Sequence, residues 1–226
     1  MEISSLSKLL LFLSAALLLS SLASAADPDP VDDLCIADLT KGKTINGYPC
    51  KPEWAVCSDD FFSSILSTGG DTDNPNGSNA TSGDVTAFPG INTLGVSMNR
   101  VDFAPGGVNP PHVHPRASEI GLVVRGKLLL GIMSTKNVLY SKVLKAGENF
   151  VIPRGLMHFQ YNVGEGKATQ IVAFNSQSPG IVFAPETLFG SMPEIPTKVL
   201  TKAFRVDEEI VDLIKSEFGN CDACFS

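Results

Sequence analysis

The sequence predicts a mainly β protein, an antiparallel sandwich or jelly-roll β-barrel with a short N-terminal segment and C-terminal α-helices. From about Thr93, short segments rich in Val, Leu, Ile and Phe alternate with turns such as Arg125-Gly126 and Pro153-Arg154-Gly155. Two short amphipathic stripes then follow near the end of the chain. Many short strands at this spacing are typical of sandwiches and jelly rolls.

The individual elements follow from the same patterning. Ser58-Asp59-Asp60 predicts the start of a helix, and residues 68–92 are predicted to form a polar loop. The predicted strands are residues 94–103, 120–124, 128–133, 138–144, 150–152, 157–163 and 168–174. Pro196 is predicted to open one helix, and a second is predicted to run from near Asp207 to a stop at Gly219.

The N-terminus has the features of a secretory signal. Lys8 precedes an apolar run over residues 9–19, and Ala23-Ser24-Ala25 has the small-x-small pattern of a cleavage site. The run is too short to span a bilayer, so we expect a removed signal peptide over 1–25 and an extracellular product. The predicted organisation is then an N-terminal disulfide-closed extension over 26–68, a β-barrel over 69–190, and C-terminal helices and tail over 191–226.

Composition and cysteine usage agree with export. The chain has 226 residues, a formal net charge of −7 and no basic run, which argues against a nucleic-acid partner. A bridge between Cys35 and Cys50 would stabilise the fold by ~3 kcal/mol. Cys57, Cys221 and Cys224 remain, so at least one thiol is unpaired or bonded elsewhere. Asn76 and Asn79 each begin a glycosylation sequon in a polar segment.

All three histidines fall in two spaced motifs, His112-Val113-His114 with Glu119, and His158 within a later Gly- and Pro-containing segment. Residues two apart on a strand face the same side, so His112 and His114 can both point inward. Glu119 lies at odd spacing from His114, but a turn near Pro115 can change the strand alternation so that Glu119 also points inward. A returning strand must place His158 opposite them. We predict one cavity with three imidazoles and a carboxylate around a divalent metal, with two octahedral positions open. The ligands alone suit zinc, copper or iron equally well.

The two motifs match the signature boxes of the cupin superfamily, and the wider sequence resembles germins and germin-like proteins, close to the oxalate-oxidase type. The segments that carry the resemblance are residues 95–107, 109–117 and 151–160, with the Cys35/Cys50 pair and residues 27–30, 75–78 and 200–204. It covers nearly the whole mature chain, whereas Cys57 and the tail over 221–226 differ from the usual family sequence.

The resemblance implies a cupin jelly-roll β-barrel that binds Mn²⁺ through His112, His114, Glu119 and His158. It also implies a secreted glycoprotein of the apoplast or cell wall with a role in plant defence. Its assembly would be a homohexamer, a trimer of dimers in which the C-terminal helices clasp neighbouring subunits. No nucleic-acid partner or membrane span is expected.

Three functions are compatible with this resemblance. The first is oxidation of oxalate by O₂ to CO₂ and hydrogen peroxide, in which Asn99 and Asn109 would orient the substrate. The second is superoxide dismutation, which needs only the metal ligands and open access. The third is a non-catalytic metal-binding wall or storage protein. Arg116 and Arg154 flank the ligand segments, where structural ion pairs are expected more than anion steering.

Overall fold

The computed structural model describes residues 32–218 and consists of two five-stranded antiparallel sheets packed face to face. The strands are β1 Ser78–Gly83, β2 Ser97–Phe103, β3 Val108–Val113, β4 Glu119–Arg125, β5 Lys127–Met133, β6 Leu139–Lys145, β7 Asn149–Ile152, β8 Met157–Asn162, β9 Ala168–Phe174 and β10 Val182–Phe183. One sheet has the order β1-β2-β9-β4-β7 and the other β10-β3-β8-β5-β6. Apart from the β1–β2 and β5–β6 pairs, consecutive strands alternate between the two sheets. This arrangement confirms the predicted mainly β barrel.

Three helices follow or adjoin the barrel: α1 Ala184–Phe189, α2 Thr197–Phe204 and α3 Glu208–Phe218. The second and third match the predicted amphipathic helices, and they bury Leu200 and Val211. Lys215 ties α3 to the segment before α2, because its Nζ donates to the carbonyl of Ile195 at 2.7 Å. Within residues 32–218, every helix is too short or too polar to cross a membrane.

The structure corrects two predictions made from local sequence and adds one helix. The helix expected from Ser58 is only a 3₁₀ turn, Ser58–Phe61, after which Phe62 is extended. The side chain of Phe62 is 76% exposed, so the predicted apolar face of the helix is not buried here. The predicted polar loop over 68–92 contains β1, which forms by pairing with β2. Helix α1 was not predicted.

The barrel core lies between the sheets and is centred on Phe103, Val123 and Leu128, each at most 1% exposed. Gly121 faces the same interior from β4. A Cβ at this position would lie 2.2 Å from the ring of Phe150, so the missing side chain of Gly121 leaves space for that ring. The site described below therefore adjoins a tightly packed apolar layer.

The N-terminal extension is closed by a disulfide between Cys35 and Cys50, as predicted. It is fastened to the barrel by the buried side chain of Asn92, whose amide group donates to the carbonyl of Tyr48 at 2.9 Å and accepts from its N–H at 3.0 Å. Among the described residues, the exposed thiol of Cys57 has no disulfide partner. The signal segment and the tail cysteines lie outside the described residues.

Candidate metal centre

Strand pairing brings the four predicted ligands together. β3 and β8 are antiparallel neighbours, and their register places His112 directly opposite His158. Glu119 begins β4 in the facing sheet, and His114 follows the end of β3. The cluster therefore lies between the two sheets, although its members are spread over residues 112–158.

The proline pair before His112 shapes this end of β3. The β3–β8 register shifts between Asn109 and His112, where Pro110 and Pro111 interrupt the ladder. A proline has no N–H to donate, so within sheets it is confined to edges and bulges. The irregularity re-aims the strand at the point where its imidazoles must converge.

The four side chains form a compact, buried cluster. One ligand atom from each of His112, His114, Glu119 and His158 lies within 4.8 Å of all the others. Oε2 of Glu119 is 3.2 Å from Nε2 of His114 and 3.2 Å from Nε2 of His158. All four residues are at most 6% exposed. The predicted constellation of three imidazoles and one carboxylate is therefore present as a geometric unit.

Backbone carbonyls fix the tautomer of each imidazole. Nδ1 of His112 lies 2.7 Å from the carbonyl of Pro110, Nδ1 of His158 lies 2.9 Å from that of Leu156, and Nδ1 of His114 bonds to a carbonyl in a distant loop. A carbonyl oxygen only accepts, so Nδ1 must carry the proton in each case. The Nε2 lone pairs are left for the interior of the cluster.

Lone pairs and a carboxylate that face one another require a positive charge between them. In the metal-free protein, a proton on an imidazole would supply it, and a divalent cation would supply it better. Three neutral imidazoles with Nδ1–H bonded to carbonyls and one carboxylate form an ordinary donor set for a catalytic divalent metal. The residues therefore fit a metal cofactor.

Burial and mutual contacts alter the acid–base properties of the cluster. Burial, followed by the repulsion of His158, lowers the pKa of His112 from 6.5 to about 3. Burial would raise the pKa of Glu119, but the close contacts of its Oε2 with the imidazoles of His114 and His158, at 3.2 Å each, outweigh this and lower the pKa from 4.5 to about 2. At neutral pH the centre therefore presents an anionic carboxylate and an uncharged His112.

The two predicted substrate-orienting asparagines differ in their surroundings. Asn109 is 7% exposed, and its amide nitrogen donates to Oε1 of Gln160 at 2.9 Å. Asn99 lies half-buried on the inner face of β2, but its side-chain oxygen accepts hydrogen bonds from Ser82 and Gly83 at 3.2 Å each. Among residues 32–218, no hydrogen bond joins Asn99 to the four clustered ligands.

Gln160 was not singled out from the sequence. It is fully buried, and its amide nitrogen has no partner among the described residues. It lies two residues after His158 on β8, so both side chains face the barrel interior. The spacing of two residues from His158 is the sequence feature that could have identified Gln160. A buried donor without an acceptor costs about 1–3 kcal/mol, which indicates that a ligand or water accepts from it.

The flanking arginines do not form the expected ion pairs. Within the described part of the chain, neither Arg116 nor Arg154 approaches a carboxylate, and Arg116 instead bonds to the carbonyl of Ser178.

The two predicted glycosylation sequons differ in exposure, because Asn76 is exposed in a turn whereas Asn79 lies half-buried in β1. Glycosylation at either position stays a prediction.

Comparison with known proteins identifies the class. A family model described as cupin matches residues 64–212, so the chain belongs to the cupin family.

Among curated proteins, it is 64% identical over 198 residues to germin-like protein 3-3 of Oryza sativa subsp. japonica, an alignment that covers 86% of this chain and 87% of the relative. It is 60% identical over 211 residues to oxalate oxidase 2 of Hordeum vulgare, covering 92% and 94%. A solved structure of recombinant oxalate oxidase in complex with glycolate superposes with a TM-score of 0.83 at 60% identity, covering 85% of this chain and 98% of that one. Within the cupins, the chain therefore groups with the germin-like proteins and oxalate oxidases.

Proposed function

We propose that the protein is a secreted manganese-dependent oxidase of the oxalate-oxidase type. The reaction is that of oxalate, O₂ and two protons giving two molecules of CO₂ and one of hydrogen peroxide. The observation that carries the proposal is the buried cluster in which Glu119 and three Nε2 lone pairs converge. The high identity to oxalate oxidases supports the choice of substrate.

The choice of manganese rests on family membership and not on the ligands. Mn²⁺ is the weakest binder of its series, and imidazole suits other divalent metals as well. A bound redox-active ion would supply a positive site for a substrate carboxylate and a route for electrons to O₂. His112, His114, Glu119 and His158 would hold it.

The protein's own polar residues would orient the substrate. Asn109 and Gln160 are neutral amides, so they can donate to a dianion without competing for the metal as a carboxylate would. Because Asn109 donates to Oε1 of Gln160, the Gln160 amide is held with its nitrogen unengaged. A carboxylate oxygen of oxalate would be its acceptor. Asn99 would act indirectly, because its side-chain oxygen is held by Ser82 and Gly83 of the adjoining strand β1.

The test is a peroxide assay on purified holoprotein supplied with oxalate, with manganese content measured on the same sample. We expect peroxide release from the wild type and none from His158→Ala. Gln160→Leu should keep its manganese and lose about 10- to 100-fold in kcat/KM, the value of one charge-assisted hydrogen bond. The matched control is Gln170→Leu, another buried glutamine, which lies on β9 and is expected to keep its kcat/KM.

Other outcomes of the same assay select the alternatives. Full manganese occupancy with superoxide scavenging but no peroxide from oxalate would favour a dismutase, and Asn99→Ala should then keep its activity. Full occupancy with neither activity would favour a non-catalytic metal-binding protein. Absence of any bound metal from the wild type would refute the proposed function as a whole.

We also propose that the protein is exported and self-associates as a hexamer. The disulfide suits an oxidising compartment. Exposed apolar residues follow the outer face of the β4–β7 sheet, namely Ile120, Leu122, Val124 and Val151, at 43–60% exposure. Such a contiguous patch is typical of a protein interface. Light scattering of the secreted protein gives its mass, and sequencing of its N-terminus tests cleavage after residue 25. The proposed division into segments 26–68, 69–190 and 191–226 stays a prediction.

A further inference from the structure

The three imidazoles of the cluster are oriented in two different ways. For His112 and His158, the carbonyl that accepts from Nδ1 is only two residues earlier in the chain. For His114, the acceptor is the carbonyl of Gly180, which is 66 residues away along the chain. The orientation of His114 therefore depends on a distant loop. A residue that fixes the position of that loop also fixes the orientation of the imidazole.

Arg116 holds the loop over residues 178–180. Its Nε donates to the carbonyl of Ser178 at 2.7 Å, and its backbone N–H donates to that of Pro179 at 3.1 Å. Its guanidinium lies face-on against Gly180, since a Cβ there would be 2.7 Å from Nη2, 2.9 Å from Cζ and 3.0 Å from Nη1. Gly180 has φ +66°, a left-handed conformation that favours glycine. A side chain at position 180 would therefore displace the Arg116 guanidinium from this contact.

We propose that Arg116 is a positioning residue for the metal centre. It fastens the loop so that the Gly180 carbonyl receives Nδ1–H of His114 and directs Nε2 towards Glu119. This inference rests on the proposed metal-binding function. Partners that orient a metal-bound histidine are typically worth 10- to 100-fold in metal affinity.

The positive charge of Arg116 would weaken metal binding, whereas its hydrogen bonds to the loop over residues 178–180 would strengthen it. In residues 32–218 Arg116 forms no ion pair, and its solvent-exposed charge would weakly repel a cation held next to His114. If charge were its main effect, removing it would strengthen metal binding. If it positions His114, removing it weakens binding. The sign of the change therefore distinguishes the two roles.

The experiment measures manganese release from the purified holoprotein challenged with excess chelator. Arg116→Ala and Arg116→Lys should each release the metal about tenfold faster or more, because the lysine keeps the charge but has no planar fork. Arg154→Ala is the control, since Arg154 lines the same cavity as Arg116 and forms no side-chain hydrogen bond to the loop. Release from the Arg116 variants that is unchanged, or slower than from the wild type, overturns the proposal.

A second measurement excludes a purely structural role. We expect the effect of Arg116→Ala on manganese affinity to vanish in a His114→Ala background and to persist in a His112→Ala background, as in a double-mutant cycle. An equal effect in both backgrounds would show that Arg116 supports the fold and not His114. A wild type that binds no metal would contradict the proposed function, whereas a metal-bound wild type with unaffected variants would contradict only this inference.

Discussion

Replacing Glu119 with glutamine tests the role of the carboxylate in the cluster. The change keeps the size of the side chain but removes the negative charge at a position that is 3% exposed. It also places an amide NH₂ or C=O against the Nε2 atoms of His114 and His158, now 3.2 Å from Oε2. Because the interior is already packed, the new amide has little freedom to turn away.

The size of the expected loss of manganese affinity follows from the lowered pKa of Glu119. The pKa falls from 4.5 to about 2 although burial opposes ionisation. At about 1.36 kcal/mol per pKa unit, the surroundings favour the carboxylate over a neutral group by roughly 3 kcal/mol. A divalent ion places more positive charge at the same point than a proton does. Glu119→Gln should therefore raise the dissociation constant for manganese by about two orders of magnitude or more.

The assay is chelator competition on purified protein, combined with metal analysis after dialysis. Glu148→Gln is the control, because Glu148 is a surface carboxylate paired with Lys142 at 2.8 Å. We expect the control to bind manganese as the wild type does. If Glu119→Gln keeps the wild-type affinity within about threefold, the carboxylate does not share the ion with the imidazoles and the assignment of the centre is wrong.

Three further predictions concern pH, glycosylation and the core. Since the folded protein keeps His112 neutral down to about pH 3 while the unfolded chain protonates near 6.5, the metal-free protein should lose stability as pH falls below 6.5. The loss approaches about 1.4 kcal/mol per pH unit for this residue, so urea unfolding of His112→Gln should show a flatter pH dependence between 6.5 and 4.5 than the wild type. Asn76→Gln should remove a glycan from protein made in a eukaryotic secretory host, seen as a mass decrease, whereas Asn79→Gln should leave the mass unchanged apart from the substitution. Phe103→Ala should lower the free energy of unfolding by about 3–5 kcal/mol in urea titration, and a loss below about 1 kcal/mol would contradict its central place in the core.

The sequence was most informative where the residue type itself is rare. Histidine occurs only three times in the chain, and all three lie in the cluster, so their spacing alone indicated the site. Strands with alternating apolar residues were also predictable, because burial of one face requires that period. β1 was missed because Ser78–Gly83 has no such alternation and becomes a strand only through its pairing with β2. Local propensity could not reveal a long-range ladder.

The remaining features that were not predicted from the sequence depend on contacts between residues far apart along the chain. The bond from His114 to Gly180 spans 66 residues, and the amide of Gln160 is recognisable only once Asn109 is placed beside it. The expected ion pairs of Arg116 and Arg154 rested on the abundance of acids in the chain. In the structure, the exposed guanidinium of Arg116 donates to the carbonyl of Ser178, and an ion pair at an exposed position would add only about 0–1 kcal/mol.

The choice of carbonyls as partners also bears on the charge of the centre. Each ligand imidazole donates Nδ1–H to a neutral backbone oxygen, so Glu119 is the sole carboxylate of the ligand cluster among the described residues. A divalent ion held there would keep a net positive charge, whereas carboxylate partners behind the imidazoles would cancel it. Asn109 and Gln160 add donors and no negative charge. With a divalent ion in place, we expect this arrangement to attract a small dianion. A neutral analogue of the same size should bind far more weakly to the manganese form than oxalate does.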